Sequence, residues 1–214
     1  VKMVMNLFDL LNDKLDFLET YKILLASRIL SPMFKDFETE RKTLQYFKLN
    51  VSVSPTLSME VMLRDIENSH KMNEKWKDLA KRRKGMIQDA SVMNVISLTQ
   101  NSWPKNTLAS RSNFAAKFPD HISEWLQEYS KTMLMKDRAR GHLVVCKSLG
   151  SVVLSFKFND KKSYRVRMSP SQASLILLLK KSGGEMSYSQ IANTLEMHTE
   201  QAMNLLISVR FFSF

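Results

Sequence analysis

The chain has 214 residues, 44% of them hydrophobic, and 32 Lys and Arg against 21 Asp and Glu give a formal charge of +11 and a pI near 9.7. That length holds one large domain or two to three small ones, and the apolar fraction excludes an intrinsically disordered chain. No apolar run approaches the roughly 18 residues of a membrane span, the start at Val1 lacks a signal-peptide pattern, and Cys146 with four scattered histidines gives neither an internal disulfide nor a zinc spacing. The expectation is a piece of a longer intracellular chain in a reducing compartment, with no membrane partner, no metal and no cofactor.

In chain order, the first part reads as helical. Leu11, Leu15, Leu18, Tyr21, Leu25 and Ile29 recur at three- and four-residue steps, a stripe that stops at Ser31-Pro32 because the residue before proline is pushed out of helical geometry. Thr43 to Leu49 gives a second short periodic segment, broken at Ser54-Pro55. Ser58 is then a candidate N-cap for a helix whose apolar stripe is Met59, Met62, Leu63, Ile66 and His70, with Glu60, Arg64, Asp65, Glu67 and Lys71 on its polar back. Residues 1–76 form part of a helical bundle on this reading.

From Lys77 to Asp89 the composition turns basic around Gly85, the expected boundary. Beyond it, Val92 to Leu98 and Leu143 to Cys146 are short apolar runs of strand character. Phe118 to Met135 reads as a helix with Ile122, Trp125, Leu126, Tyr129 and Met133 on one side. The clearest strands follow. Leu154, Phe156 and Phe158 alternate with Ser155 and Lys157, and Tyr164, Val166 and Met168 with Arg165 and Arg167, joined by Asn159-Asp160-Lys161-Lys162 as a hairpin loop with one face buried and one basic face wet. Residues 77–168 therefore read as an α/β unit with a basic linker at its start.

Residues 169–214 read as an incomplete winged-helix module. Ser169-Pro170 supplies an N-cap and a proline at the first helical position, Gly183-Gly184 ends that helix, Ser187 and Gln190 form a capping box, and a further helix presents Ala202, Leu205, Leu206 and Val209. The fold class is α+β, mainly helical.

Little here supports chemistry. His70, His121, His142 and His198 sit in different elements, five glycines form no phosphate loop, and Asp65, Glu67, Glu124 and Glu128 read as solvated helix carboxylates. Cys146 reads as a buried small hydrophobe. The charge predicts acidic partners. Basic residues gather at Lys77, Lys81, Arg82, Arg83 and Lys84, around Lys131, Lys136, Arg138 and Arg140, and along Lys157, Lys161, Lys162, Arg165 and Arg167. The run Lys81 to Lys84 reads either as a nuclear-import signal or as a solvated basic loop. DNA recognition by the last helix is disfavoured, because Thr199 to Val209 carries Glu200, Gln201 and Asn204 and no Lys or Arg.

Three stretches carry a family resemblance: Tyr21-Lys22-Ile23-Leu24-Leu25-Ala26-Ser27-Arg28-Ile29-Leu30, then Glu60-Val61-Met62-Leu63-Arg64-Asp65 with Ser69 and Asn73 trailing, then Val95-Ile96-Ser97-Leu98-Thr99-Gln100-Asn101-Ser102-Trp103-Pro104. In this order, and from about residue 15 onward, the chain resembles the cullins, scaffold subunits of multi-subunit ubiquitin ligases. The Glu60 to Asp65 core is most similar to the divergent branch that serves the anaphase-promoting complex.

The resemblance implies a cullin-homology architecture and a non-catalytic scaffold in the nucleus and cytoplasm, acting in mitotic cell-cycle control. It implies three kinds of partner: a RING-finger subunit whose strand is added to the α/β sheet, a ubiquitin-conjugating enzyme recruited through that subunit, and the other subunits of a large ligase. The basic patches would help attract acidic conjugating-enzyme surfaces. Candidate RING-binding residues are Val92, Val95 and Leu98 on one strand and Val152, Leu154, Phe156 and Phe158 on the hairpin, against the alternative that these residues are ordinary core. Trp103 and Pro104 read as fixing the turn after the first strand. The N-terminal cullin repeats and the final winged helix, with its modified lysine, are expected to lie outside the chain, so no modification site is named. A generic cullin of another RING ligase, or a basic winged-helix nucleic-acid binder, are the alternatives.

Overall fold

The structure, a computed structural model, describes residues 2–31, 33–51, 53–82, 92–105, 116–134, 144–146, 149–159 and 162–209. It falls into two compact units, residues 1–110 and 111–214.

The first unit contains α1 (Lys2–Asp9), α2 (Lys14–Ile29), α3 (Phe37–Asn50) and α4 (Val53–Arg82). Asp13 caps α2, its carboxylate accepting from the backbone N–H groups of Leu15 and Asp16 at 3.1 Å each, and Asp36 caps α3 by accepting from Thr39 N at 3.0 Å. The Thr39 hydrogen bond holds the Asp36 carboxyl below its ordinary range. The α2 helix starts only at Lys14, which leaves Leu11 outside it; Leu11 and Leu15 are both exposed, and the expected stripe is buried only from Leu18 through Leu25 to Ile29. Phe8, Leu18, Leu25, Ile29, Leu44, Phe47, Met59, Met62 and Ile66 make the core. The Phe47 ring lies 4.6 Å from Phe8 and 5.1 Å from Tyr21, centroid to centroid, so one aromatic ties α1, α2 and α3 together.

A buried carboxylate sits in this core. Glu40 on α3, 7% exposed, accepts from the Tyr21 hydroxyl at 2.6 Å and from Arg28 Nε at 2.9 Å. Burial, and then the bond to Glu40, hold the Tyr21 phenol far above its ordinary range. With both carboxylate oxygens bonded, the charge is tolerated inside the bundle.

The α4 helix corrects three expectations. It begins at Val53, not after Ser58, and runs through Ser54-Pro55. Proline is accepted there because a first-turn N–H has no intrahelical partner to lose. It also continues past residue 76 through the start of the basic segment to Arg82, with Ala80 buried. His70 sits at the helix surface beside the core, as its sequence reading as a surface or edge-of-core residue has it, exposed and edge-on to Phe37, while the buried residues of α4 continue through Ser69, Asn73, Trp76 and Ala80. Gly85 lies outside the described residues.

The second unit contains α5 (Asp120–Tyr129), which widens into a π-type turn over Ser130–Leu134, the antiparallel hairpin of β1 (Val152–Asn159) and β2 (Lys162–Met168), and α6 (Pro170–Lys181), α7 (Tyr188–Leu195) and α8 (Thr199–Val209). Capping boxes start α6 at Ser169 and Gln172 and α7 at Ser187 and Gln190. Gly184 N donates to Leu179 O at 2.9 Å with Gly183 and Gly184 at φ 78° and 97°, a left-handed termination that a residue with a Cβ resists. Leu175, Ile191, Leu195, Ala202 and Leu205 form the core of the three helices, together with Ala116. Lys117 N donates to Leu195 O at 2.9 Å, so the chain just before α5 is tied to the helical module.

Cys146 is exposed, as are Val144 and Val145, which corrects its reading as a buried hydrophobe in a strand. An apolar run is buried only when a neighbouring element covers it, and residues 144–146 pair with no strand among the described residues. Asp160, Lys161, Leu143, His142 and the end from Arg210 lie outside the described residues.

Candidate partner-binding site

The segment Val95–Thr99 is bonded to a helix where a strand would be expected to find another strand. Asn73 Oδ1 accepts from Val95 N at 2.9 Å while its Nδ2 donates to Val95 O at 2.9 Å, the two bonds that a facing strand residue would make. Ser69 Oγ accepts from Ser97 N at 2.9 Å and donates to Asp65 O at 2.7 Å. Asp65 accepts from Thr99 N at 2.7 Å, from the Thr99 hydroxyl at 3.0 Å and from Trp103 Nε1 at 2.8 Å.

The geometry matches because four helical residues rise about 6 Å and two strand residues about 6.7 Å. Asp65, Ser69 and Asn73, at four-residue steps, therefore meet every second residue of a chain running antiparallel to α4. A row of three short polar side chains acts as a surrogate strand. Trp103 is 3% exposed and closes the row as the expected turn-fixing residue. Asp65, expected to be a solvated carboxylate, is half-buried and accepts three hydrogen bonds.

Alternation along an extended segment then directs the N–H and C=O groups of Ile96 and Leu98 to the opposite side. Those groups have no hydrogen-bond partner among the described residues. Of the predicted residues here, Val95 and Leu98 are half-buried, with Leu98 packed on the first-unit core, and Val92 is 76% exposed.

The remaining predicted residues belong to the second unit. Register pairs Val152 with Met168, Leu154 with Val166 and Phe156 with Tyr164 on one face of the hairpin. Met168 is buried, Val152, Leu154, Phe156 and Val166 are half-buried, and Tyr164 is 53% exposed, so cover thins toward the turn. The side chain of Phe158 lies outside the described ones. With two strands in the sheet, each has a single strand neighbour among the described residues. Unpaired strand edges of this kind accept an added strand.

Among the described residues no group of three His, Cys, Asp or Glu could hold a metal ion, and no helix is long and apolar enough to cross a membrane. His121 packs edge-on to Trp125 at 5.3 Å, and His70 is similarly placed against Phe37.

Residues 97–211 match the family model described as the cullin alpha+beta domain, and residues 1–73 match the cullin alpha solenoid domain. The chain belongs to the cullin family. It is 28% identical over 165 residues to anaphase-promoting complex subunit 2 of Caenorhabditis elegans, 22% over 174 residues to that of Arabidopsis thaliana and 27% over 176 residues to that of Dictyostelium discoideum. These alignments cover 76%, 80% and 79% of the chain but 22%, 19% and 18% of the relatives, so the chain spans about a fifth of the curated relatives it matches.

Within the cullin, the surrogate strand has a definite place. The solenoid match ends at residue 73, the last rung of the polar row, and the alpha+beta match begins at residue 97, its second partner.

Proposed function

We propose that this cullin chain is a non-catalytic scaffold of the anaphase-promoting complex, a multi-subunit RING ubiquitin ligase, working in the nucleus and cytoplasm. It takes a strand of the RING-finger subunit onto an open backbone edge, and that subunit in turn positions a ubiquitin-charged conjugating enzyme. Rate enhancement then comes from proximity and orientation and requires no reactive side chain in this chain. The observation that carries the reading is the two-sided character of Val95–Thr99: one side is saturated by Asp65, Ser69 and Asn73, and the other presents the backbone of Ile96 and Leu98. A segment fixed on one side and free on the other is a pre-ordered template, which lowers the entropic cost of adding a strand. Val152, Leu154 and Phe156 supply a second, half-covered apolar face for the same partner.

The test is capture of the RING subunit by the chain and two variants. Ile96→Pro removes an outward N–H without touching the inward row, and its restriction of the preceding residue to extended geometry suits Val95. Phe156→Asp puts a charge on the hairpin's apolar face. Both are expected to lose the RING subunit. Retention by Ile96→Pro at the wild-type level would overturn strand addition at this edge. Retention by Phe156→Asp alone would remove the hairpin from the site. Capture of a RING subunit from another cullin ligase, in preference, would assign the chain to a generic cullin.

A further inference from the structure

The other face of the hairpin is used by none of the above. Its rungs, in order, are Val153 with Arg167, Ser155 with Arg165 and Lys157 with Ser163. One cation stands on each of three successive rungs, and Lys162 stands exposed at the turn end. All the side chains of these rungs are exposed, Val153 at 43%. Neither strand contains an Asp or Glu, and none of Lys157, Lys162, Arg165 and Arg167 is in an ion pair among the described residues. Some cations elsewhere are paired: Arg28, Arg41 and Lys48 each face a glutamate. The hairpin strip is where part of the +11 excess is left uncompensated.

We propose that this strip is a docking surface for an extended acidic segment of a partner protein, with carboxylates at alternate positions. Charge complementarity is the first reason, since a row of unpaired cations with no acid among its strands stabilises a row of anions and repels basic chains. Spacing is the second. Rungs repeat every two residues, about 6.7 Å, which is also the repeat of same-face side chains in an extended peptide. The fork of each arginine takes a carboxylate through two parallel N–H donors, while Ser155 and Ser163 add hydroxyl donors and Val153 an apolar contact. A nucleic acid fits less well. The described aromatic rings of the hairpin, Phe156 and Tyr164, lie on the opposite face and are turned away from any bases on the strip, and α8 presents no Lys or Arg between Thr199 and Val209.

The strip lies on the face of the hairpin opposite Val152, Leu154 and Phe156, so the two readings separate experimentally. The probe is a fluorescein-labelled twelve-residue peptide of alternating Glu and Ser, followed by anisotropy at low salt, with single-stranded and duplex DNA of equal charge as competitors. Replacing Arg165→Gln together with Arg167→Gln is expected to weaken the peptide by about tenfold, an effect that salt erases. The matched loss of two charges from exposed α4 positions, Lys71→Gln with Lys75→Gln, is expected to leave affinity within about twofold, since those charges lie off the strip. Lys157→Gln with Lys162→Gln is a second pair on the strip that reads the same way if the arginine pair disturbs folding. All these variants should still capture the RING subunit. Equal weakening by the strip and α4 pairs would reduce the effect to diffuse charge and overturn the proposal, as would failure of the wild-type chain to bind the peptide. DNA binding tighter than the peptide and lost with the arginine pair would assign the strip to nucleic acid instead.

Discussion

Replacing Asn73 with alanine is the sharpest probe of the surrogate strand. Asn73 is 5% exposed, and its amide makes both backbone bonds of Val95 at 2.9 Å. Two neutral hydrogen bonds are worth about 0.5–1.5 kcal/mol each, and leaving a buried donor or acceptor without a partner costs about 1–3 kcal/mol. Val95 is half-buried, so solvent offsets part of that cost. The expected loss is therefore about 2–4 kcal/mol, concentrated at the attachment of residues 95–99 to α4. Asn73→Asp is expected to fall between, because it keeps the acceptor for Val95 N–H but turns an oxygen toward Val95 C=O. The assay is amide exchange resolved by residue. In the wild type the amides of Val95, Ser97 and Thr99 should be protected; in Asn73→Ala the Val95 amide should exchange more than tenfold faster, since about 1.4 kcal/mol of local stability is a factor of ten. Unchanged protection at Val95, with global stability within about 0.5 kcal/mol of wild type, would refute the idea that this side chain stands in for a strand.

Three further outcomes are expected. Glu40→Ala should destabilise the first unit by about 2–4 kcal/mol in urea unfolding, because it strands the Tyr21 hydroxyl and Arg28 together, whereas Tyr21→Phe should cost only about 1 kcal/mol. Glu196 ends α7 at φ 55° and ψ 48°, so Glu196→Gly should stabilise the second unit by up to about 1 kcal/mol, read as a rise in melting temperature. Burial pushes the Tyr129 phenol from 10.0 up to about 12. Its raised folded value means that its contribution is fully present below pH 10 and is lost as pH rises toward about 12, and Tyr129→Phe should remove that part of the alkaline stability loss.

Local signals made much of this fold readable. Ser169-Pro170, the Ser187 and Gln190 pair, and Gly183-Gly184 act within one turn of chain, and each sits where its capping chemistry requires. The hairpin was readable because period-two alternation over Leu154 to Met168 is a property of adjacent residues. Long-range partners were not. Asp65 looks solvated in sequence, and only residues 22 to 38 positions away reveal the work of Asp65, Ser69 and Asn73. A signal did exist: three short polar residues at four-residue steps on a helix whose neighbouring rows already held the charges. Glu40 was missed for the same reason, its partners lying 12 and 19 residues back on α2. Pro55 misled because proline is a breaker only when the N–H it lacks would have been bonded. The family resemblance supplied what periodicity could not, namely the expectation that a partner strand docks at Val92 to Leu98.

The most direct measurement of strand addition is amide exchange at Ile96 and Leu98 with and without the RING subunit. Alone, both amides should exchange freely while Val95, Ser97 and Thr99 are held by α4; with the subunit bound, Ile96 and Leu98 should become protected as well. Amides at Ile96 and Leu98 that remain freely exchanging in a saturated complex would contradict the account.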